Sequence, residues 1–231
     1  MMPLRLESDF RDWYDHAFSS QGTPFERLST GGMSRREMFP YLESLGLEPP
    51  RHGTVSAVAA ELLEEWPEES RASAAEQMIS LVVYLDLWAH SGEGKVRVSA
   101  ADALLLYPDR YCSEFMSATT SGGAGRSLRY LQVGNRQWHL MYWSDHDWRS
   151  NYGEGGVKVL EESPLGYHPT VTEPMFAIDF LLIGQKLLAV DFNTAPGLAP
   201  LRGLVTPSEI VGLLGAAIER AGTEHNKGEY L

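Results

Sequence analysis

The stretch AVDFNTAPGL, residues 189 to 198, runs out of apolar residues into a Gly/Pro turn and carries Asp191 and Asn193 two positions apart. Side chains alternate between the two faces of a strand, so this acid and this amide project from one side. Just upstream, FAIDFLLI and KLLAVDF flank Gly184-Gln185 as the two arms of a hairpin. Asp179, in the first arm, points away from the side taken by Ile178 and Phe180. A two-residue loop at 184–185 sets Asp179 opposite Val190, on the side away from Asp191, whereas an odd loop such as 184–186 sets it directly across from Asp191. Two facing carboxylates about 5 Å apart at Cβ repel unless a cation lies between them. Three hard oxygen donors on one face suit Mg²⁺, which takes one or two carboxylates and completes its shell with water and phosphate oxygens. The bland alternative is an acid that merely flanks a turn.

A second segment, WRSNYGEGG (148–156), places Arg149 and Asn151 before a glycine-rich stretch. An arginine fork binds carboxylate or phosphate, and glycines let backbone N–H groups approach an anion closely; an ordinary surface loop has the same composition. Lys95 closes HSGEGK, where a Walker A motif fails because its first glycine falls on Ala89 and Val96 follows the lysine. His90, His139 and His146 are too scattered for a metal trio. Cys112 lies on a strand expected to be buried and reads as a core thiol. Trp138, Trp143 and Trp148 read as core and interface aromatics, and TTSGGAGR as a mobile lid or an inert loop.

The elements that hold these residues are legible from pattern. Helices are expected at 9–18, at SRREMFPYLESLGLEPP with Ser34 and Glu37 as a capping box and Pro40 held uneasily inside, at 54–66 and at 99–106. The last helix opens with Thr206, Pro207 and Glu209, turns Ile210, Leu214 and Ile218 to one face, and ends at Gly222. Strands are expected at 79–87, VRV and 111–116, then as two hairpins around Gly134-Asn135 and Gly184-Gln185. Mixed helices and strands with late hairpins indicate an α+β fold with antiparallel sheet.

Composition sets the outer limits. The 231 residues can bury a core without staples. Thirty-one acids against nineteen bases give a net charge of −12, which argues against nucleic acid or an anionic membrane as partner. One cysteine excludes an internal disulfide framework and points to a reducing cytoplasm. No run of about 18 apolar residues suggests a membrane span, and the first residues lack the apolar core of a signal peptide.

Taken in order, Arg129 on a strand, Arg149-Ser150-Asn151 followed by glycines, Asp179 on a later strand, and Asp191-x-Asn193 with Pro196-Gly197 resemble the C-terminal half of the ATP-grasp superfamily, in the branch of ribosomal-protein glutamate ligases and glutathione synthetases. The match spans roughly residues 111–200. The resemblance implies two lobes, each an antiparallel sheet with helices, and a nucleotide cleft between them. It implies Asp179, Asp191 and Asn193 as ligands of Mg²⁺ ions on ATP. Arg129, Arg149 and Asn151 become catalytic residues, the two arginines holding the γ-phosphate or an acyl phosphate, and Glu114, Phe115 and Met116 a hinge against adenine. The lysine that normally ends the family's first strand is replaced by Tyr84, and Lys95 is the nearest substitute. The expected divisions are an N-terminal helical extension (1–33), a reduced N-terminal lobe (34–110), a C-terminal lobe (111–222) and a tail (223–231). The expected function is an ATP- and Mg²⁺-dependent carboxylate–amine ligase; the alternative is a nucleotide-binding protein without ligase activity or in need of a partner. Its substrates would be a small carboxylate and an amine, an amino acid or peptide among the candidates. Some 33 residues precede the matching part, too few for the separate substrate domain that usually comes first, so either the substrate site is reduced, a partner or second subunit, identical or not, supplies it, or activity has been lost.

Overall fold

The computed structural model describes residues 33–65, 79–88, 93–118, 125–151, 153–162, 169 and 171–228. The helix expected at 9–18, His90 and residues 119–124 of the glycine-rich loop lie outside the described residues.

Helix α1 spans Arg35–Ser44. The Glu37 carboxylate accepts from both the N–H and the hydroxyl of Ser34 at 2.8 Å, the reciprocal cap expected from the sequence. Pro40 sits inside the helix on its exposed side, and full burial of Met38, Phe39 and Leu42 on the other side offsets its cost. There follow β1 (His52–Thr54), α2 (Val55–Glu64), β2 (Ser80–Tyr84), β3 (Lys95–Ser99), α3 (Ala100–Leu106) and β4 (Tyr111–Glu114). Thr54 and Ser99 cap α2 and α3 by accepting from the N–H of Ala57 and Asp102.

These four strands form one antiparallel sheet in the order β1-β4-β2-β3. β4 therefore lies within the first sheet, although the sequence division at 111 puts it at the start of the second lobe. Cys112 and Ser113 take their ladder partners from Val83 and Val82 of β2, and the chain leaves this sheet only after Glu114. Alternation divides the faces. Leu81, Val83 and Cys112 pack with Val55, Val58 and Ala103 of the helices, while Val82, Tyr84 and Tyr111 face the other way. Cys112 is fully buried, and burial pushes its thiol up to about 12. A thiol reagent at pH 8 should therefore label the native protein far more slowly than the same protein in denaturant, which a colorimetric thiol assay measures; equal rates would contradict the packing.

The second sheet is built of β5 (Arg126–Val133), β6 (Arg136–Ser144), β7 (Gly155–Leu160), β8 (Met175–Ile183) and β9 (Lys186–Asn193), in the order β7-β6-β5-β8-β9. Val133 pairs with Arg136 across the expected Gly134-Asn135 turn. Gly134 has φ +59, and a Cβ there would sit 2.5 Å from the Leu213 carbonyl oxygen, so both conformation and space demand glycine. α4 (Pro207–Gly228) covers one face of this sheet. Thr206 and Glu209 form its capping box. Two expectations about α4 are corrected: the helix continues past Gly222, and Ile218 is 60% exposed, the packed side being Ile210, Leu213 and Leu214.

On the opposite face of the second sheet lie Tyr130, Ile178, Phe180 and Phe192. Met38, Phe39 and Leu42 of α1 pack against them and also against Val82, Tyr84 and Tyr111 of the first sheet. α1 is thus the wedge that joins the two sheets in one apolar core and sets the cleft between them. No helix among the described residues is long and apolar enough to cross a membrane.

Candidate functional site

The hairpin of β8 and β9 decides the register question in an unexpected way. Its loop has two residues, with Ile183 opposite Lys186 and Phe180 opposite Ala189, yet Asp179 stands opposite Asp191. An irregularity between Phe180 and Asp179 leaves Val190 as one extra residue in β9, and this bulge moves Asp191 onto the side of Asp179. On the next strand inward, Arg129 of β5 lies opposite Asp179. Arg129, Asp179 and Asp191 therefore form one straight row across three adjacent strands.

Each carboxylate of the row holds a guanidinium. Arg129 donates from Nε and Nη2 to the two oxygens of Asp179, at 2.6 and 2.8 Å. Its charge is further held by Tyr142, whose ring lies under the guanidinium with the centroid 4.9 Å away. Burial works against the Arg129 charge, but Asp179 beside it more than compensates, and the guanidinium is held more tightly charged than usual. Arg35, the first residue of α1, donates from Nη1 and Nη2 to the two oxygens of Asp191 at 2.7 and 3.3 Å. Its side chain is only 7% exposed. Desolvation alone would raise the Asp191 carboxyl; the charge and hydrogen bonds of Arg35 outweigh it and hold the group below the usual carboxylate range.

Facing this row from the first sheet is Lys95, directly opposite Tyr84 in the β2–β3 ladder. Cross-strand partners share a face, so Lys95 and Tyr84 both project into the cleft. Burial and the neighbouring Arg35 push the Lys95 ammonium down to about 8. Its Nζ lies 5.5 Å from the ring centroid of Trp148. The cleft wall is completed by Glu114, Phe115, Met116, Arg149, Ser150 and Asn151. The Ser150 hydroxyl is 2.6 Å from that of Ser127. Arg149 binds the Asp147 carboxylate with Nε and Nη2 at 2.8 Å each, and these hydrogen bonds hold Asp147 below its ordinary range.

No protein-family model matches the sequence, and no curated protein matches it. Solved structures do resemble it. A RiPP-associated ATP-grasp ligase from Chryseobacterium gregarium, in complex with ADP and a leader and core peptide, superposes with a TM-score of 0.50 at 10% identity, over 95% of this chain and 71% of that one. The chain has the ATP-grasp fold. A D-alanine–D-alanine ligase from Bacillus anthracis complexed with ATP (TM-score 0.48, 11% identity, 86% of this chain and 70% of that one) is also similar. So is the macrocyclase MdnC from Microcystis aeruginosa MRC bound with the precursor peptide MdnA (0.41, 14%, 92% and 72%).

Within the cleft stand Asp179, Asp191, Arg149, Asn151, Glu114, Phe115, Met116 and Lys95. Arg129 reaches it through Asp179. Asn193 is engaged differently: its Oδ1 accepts from the Ala195 N–H at 2.7 Å and shapes the turn after β9, and the residue is not among those lining the cleft. Desolvation pushes the Glu114 carboxyl up, with the Arg51 guanidinium 3.7 Å away opposing the shift. His139 is buried edge-on against Tyr130, and His146 is exposed near Glu154. Among the described residues no group of three or more His, Cys, Asp or Glu could hold a metal ion. Sequence reasoning overlooked Arg35. It had a signal: positions 35, 38, 39 and 42 follow one face of a helix, and a lone arginine on an otherwise apolar face requires a buried acid.

Proposed function

We propose that this chain is an ATP- and Mg²⁺-dependent carboxylate–amine ligase that works through an acyl phosphate. The observation that carries this is the convergence of Arg129, Asp179 and Asp191 in one row on one sheet with Lys95 from the facing sheet. The donor set suits Mg²⁺ in kind: Asp179 and Asp191 offer hard oxygens directly opposite each other, and Asn193 lies on the same strand face two residues on. Asp179 and Asp191, with Asn193 if it turns from the Ala195 amide, would hold the metal, which would supply charge neutralisation to the phosphates. Lys95 would contact the phosphates from the first sheet, in place of the lysine whose usual position Tyr84 occupies, and the backbone at Glu114, Phe115 and Met116 would face the base. Arg149 and Asn151 would bind the acid substrate so that its carboxylate oxygen lies in line with the γ-phosphorus. Attack there forms the acyl phosphate and releases ADP; an amine then attacks the carbonyl, phosphate departs, and an amide results. The charge that develops in both steps lies on phosphoryl and carbonyl oxygens, where fixed guanidinium groups act without reorganising. Peptides recognised by ligases of this fold make an amino acid or peptide a reasonable substrate class, and a small acid and amine the minimal pair.

Tyr84 favours a second reading, a nucleotide-binding protein without ligase activity. Thermal unfolding and turnover separate the two. A ligand at a hundredfold excess over Kd stabilises the native state by about 2.7 kcal/mol, roughly 5–10 °C in melting temperature for a chain of this size. Millimolar ATP with Mg²⁺ should produce such a shift, ATP with a chelator a smaller one, and Asp191→Asn should shrink the Mg²⁺-dependent part. ADP release during a screen of acids and amines identifies the ligase; binding without release identifies the alternative; no shift with saturating Mg-ATP removes both.

A further inference from the structure

The carboxylates proposed to bind the metal are already neutralised by the protein itself. Both oxygens of Asp191 accept from Arg35, and both oxygens of Asp179 accept from Arg129. The two arginines are not equivalent. Arg129 belongs to the same sheet as its partner and is one ladder position away, so its pairing is part of the sheet. Arg35 comes from α1, the wedge between the sheets, and its backbone N–H donates to the Leu87 carbonyl just beyond β2. The Arg35–Asp191 pair therefore ties the first sheet to the edge strand of the second. Arg35 and Asp191 both line the cleft.

We propose that Arg35 is an internal competitor of the metal, which makes metal and nucleotide binding obligatorily joint. This rests on the nucleotide-site reading above and specifies its order of binding. A divalent cation arriving alone must take an oxygen of Asp191 from a buried guanidinium, and must sit beside its positive charge; both oppose binding. A metal arriving with a polyphosphate meets neither obstacle. The phosphate oxygens accept the guanidinium fork as readily as a carboxylate does, so Arg35 moves from Asp191 to the ligand while the cation takes its place. The same exchange releases the tie between the sheets.

Manganese serves as the probe, its binding read by electron paramagnetic resonance of the free ion and its partners by calorimetry. For the wild type, Mn²⁺ alone should bind at least about tenfold more weakly than Mn²⁺ in the presence of saturating ADP, and ADP should bind correspondingly more weakly without the metal. Removing the charge in Arg35→Gln should strengthen binding of Mn²⁺ alone by about tenfold or more, since a like charge a few ångströms away is removed. Arg35→Lys, which keeps the charge, should stay near the wild type, and Arg35→Gln/Asp191→Asn should lose the gain. If the wild type binds Mn²⁺ alone as well as it does with ADP, or if folded Arg35→Gln gains nothing while still binding ADP, the competitor role is overturned. The wild-type comparison can still overturn the role even if Arg35→Gln does not fold. Failure of the wild type to bind ADP under any condition instead removes the nucleotide-site reading itself.

Discussion

Arg129→Met should lower the melting temperature by roughly 6–20 °C. The Arg129 and Asp179 side chains are 14% and 13% exposed, and both oxygens of the acid are bonded to the one guanidinium. Deleting one member of such a pair leaves an unpaired charge in a poorly solvated place, at a cost of about 3–5 kcal/mol, and each kcal/mol corresponds to about 2–4 °C for a chain of this size. Asp179→Leu should cost a similar amount, because it strands the guanidinium. Removing both together should cost much less than the sum, since two apolar side chains of comparable volume need no counter-charge. The two single variants and the double, melted under identical conditions, form the cycle. Strict additivity would mean that the two groups stabilise the fold independently and that the row is not electrostatically coupled.

Lys95→Met should weaken ADP binding by roughly 10- to 150-fold, the effect of losing one hydrogen bond to a charged group, about 1.5–3 kcal/mol. Lys186→Met, which removes an exposed lysine paired with Glu48 on the outer side of the hairpin, should leave affinity unchanged. The pH dependence adds a signature that a merely structural lysine lacks. Because the free protein holds Lys95 at about 8 against 10.5 for an ordinary lysine, the ammonium is lost as pH rises through about 8, and the affinity it contributes should fall over that interval. Folding stability should respond with the opposite sign. Between about 8 and 10.5 the unfolded chain binds more protons than the native one, so this residue's contribution to stability increases with pH. Calorimetric titration with ADP from pH 7 to 9.5, alongside denaturant unfolding, measures both. Affinity that is flat across this range in the wild type, or that falls equally in Lys95→Met, would take Lys95 out of the phosphate site.

Much of this protein is decided locally and is legible in its residues one element at a time. The cap at Ser34 and Glu37, the Gly134-Asn135 turn, and the start of α4 at Thr206 and Pro207 follow from hydrogen-bonding groups within a few positions of one another. Strand alternation put Asp179 on the side away from Ile178 and Phe180, and the α+β class followed from the order of elements. Tertiary structure decided what depends on residues far apart in sequence. Val190 as an extra residue in β9 could not be read from a hairpin whose loop length seemed to settle its register, because a bulge is fixed by what the two strands must pack against and not by the turn. Arg35 and Asp191 are 156 positions apart, and only the seating of α1 between the sheets brings them together. Lys95 stands opposite Tyr84 because the β2–β3 ladder puts it there. Asn193 turns to the Ala195 amide, a choice set by the backbone after β9. Local sequence thus determined which charges each strand of this protein carries, whereas three-dimensional packing determined which of them share a face and which neutralise one another, because an ion pair depends on distance and burial and neither exists until the sheets have come together.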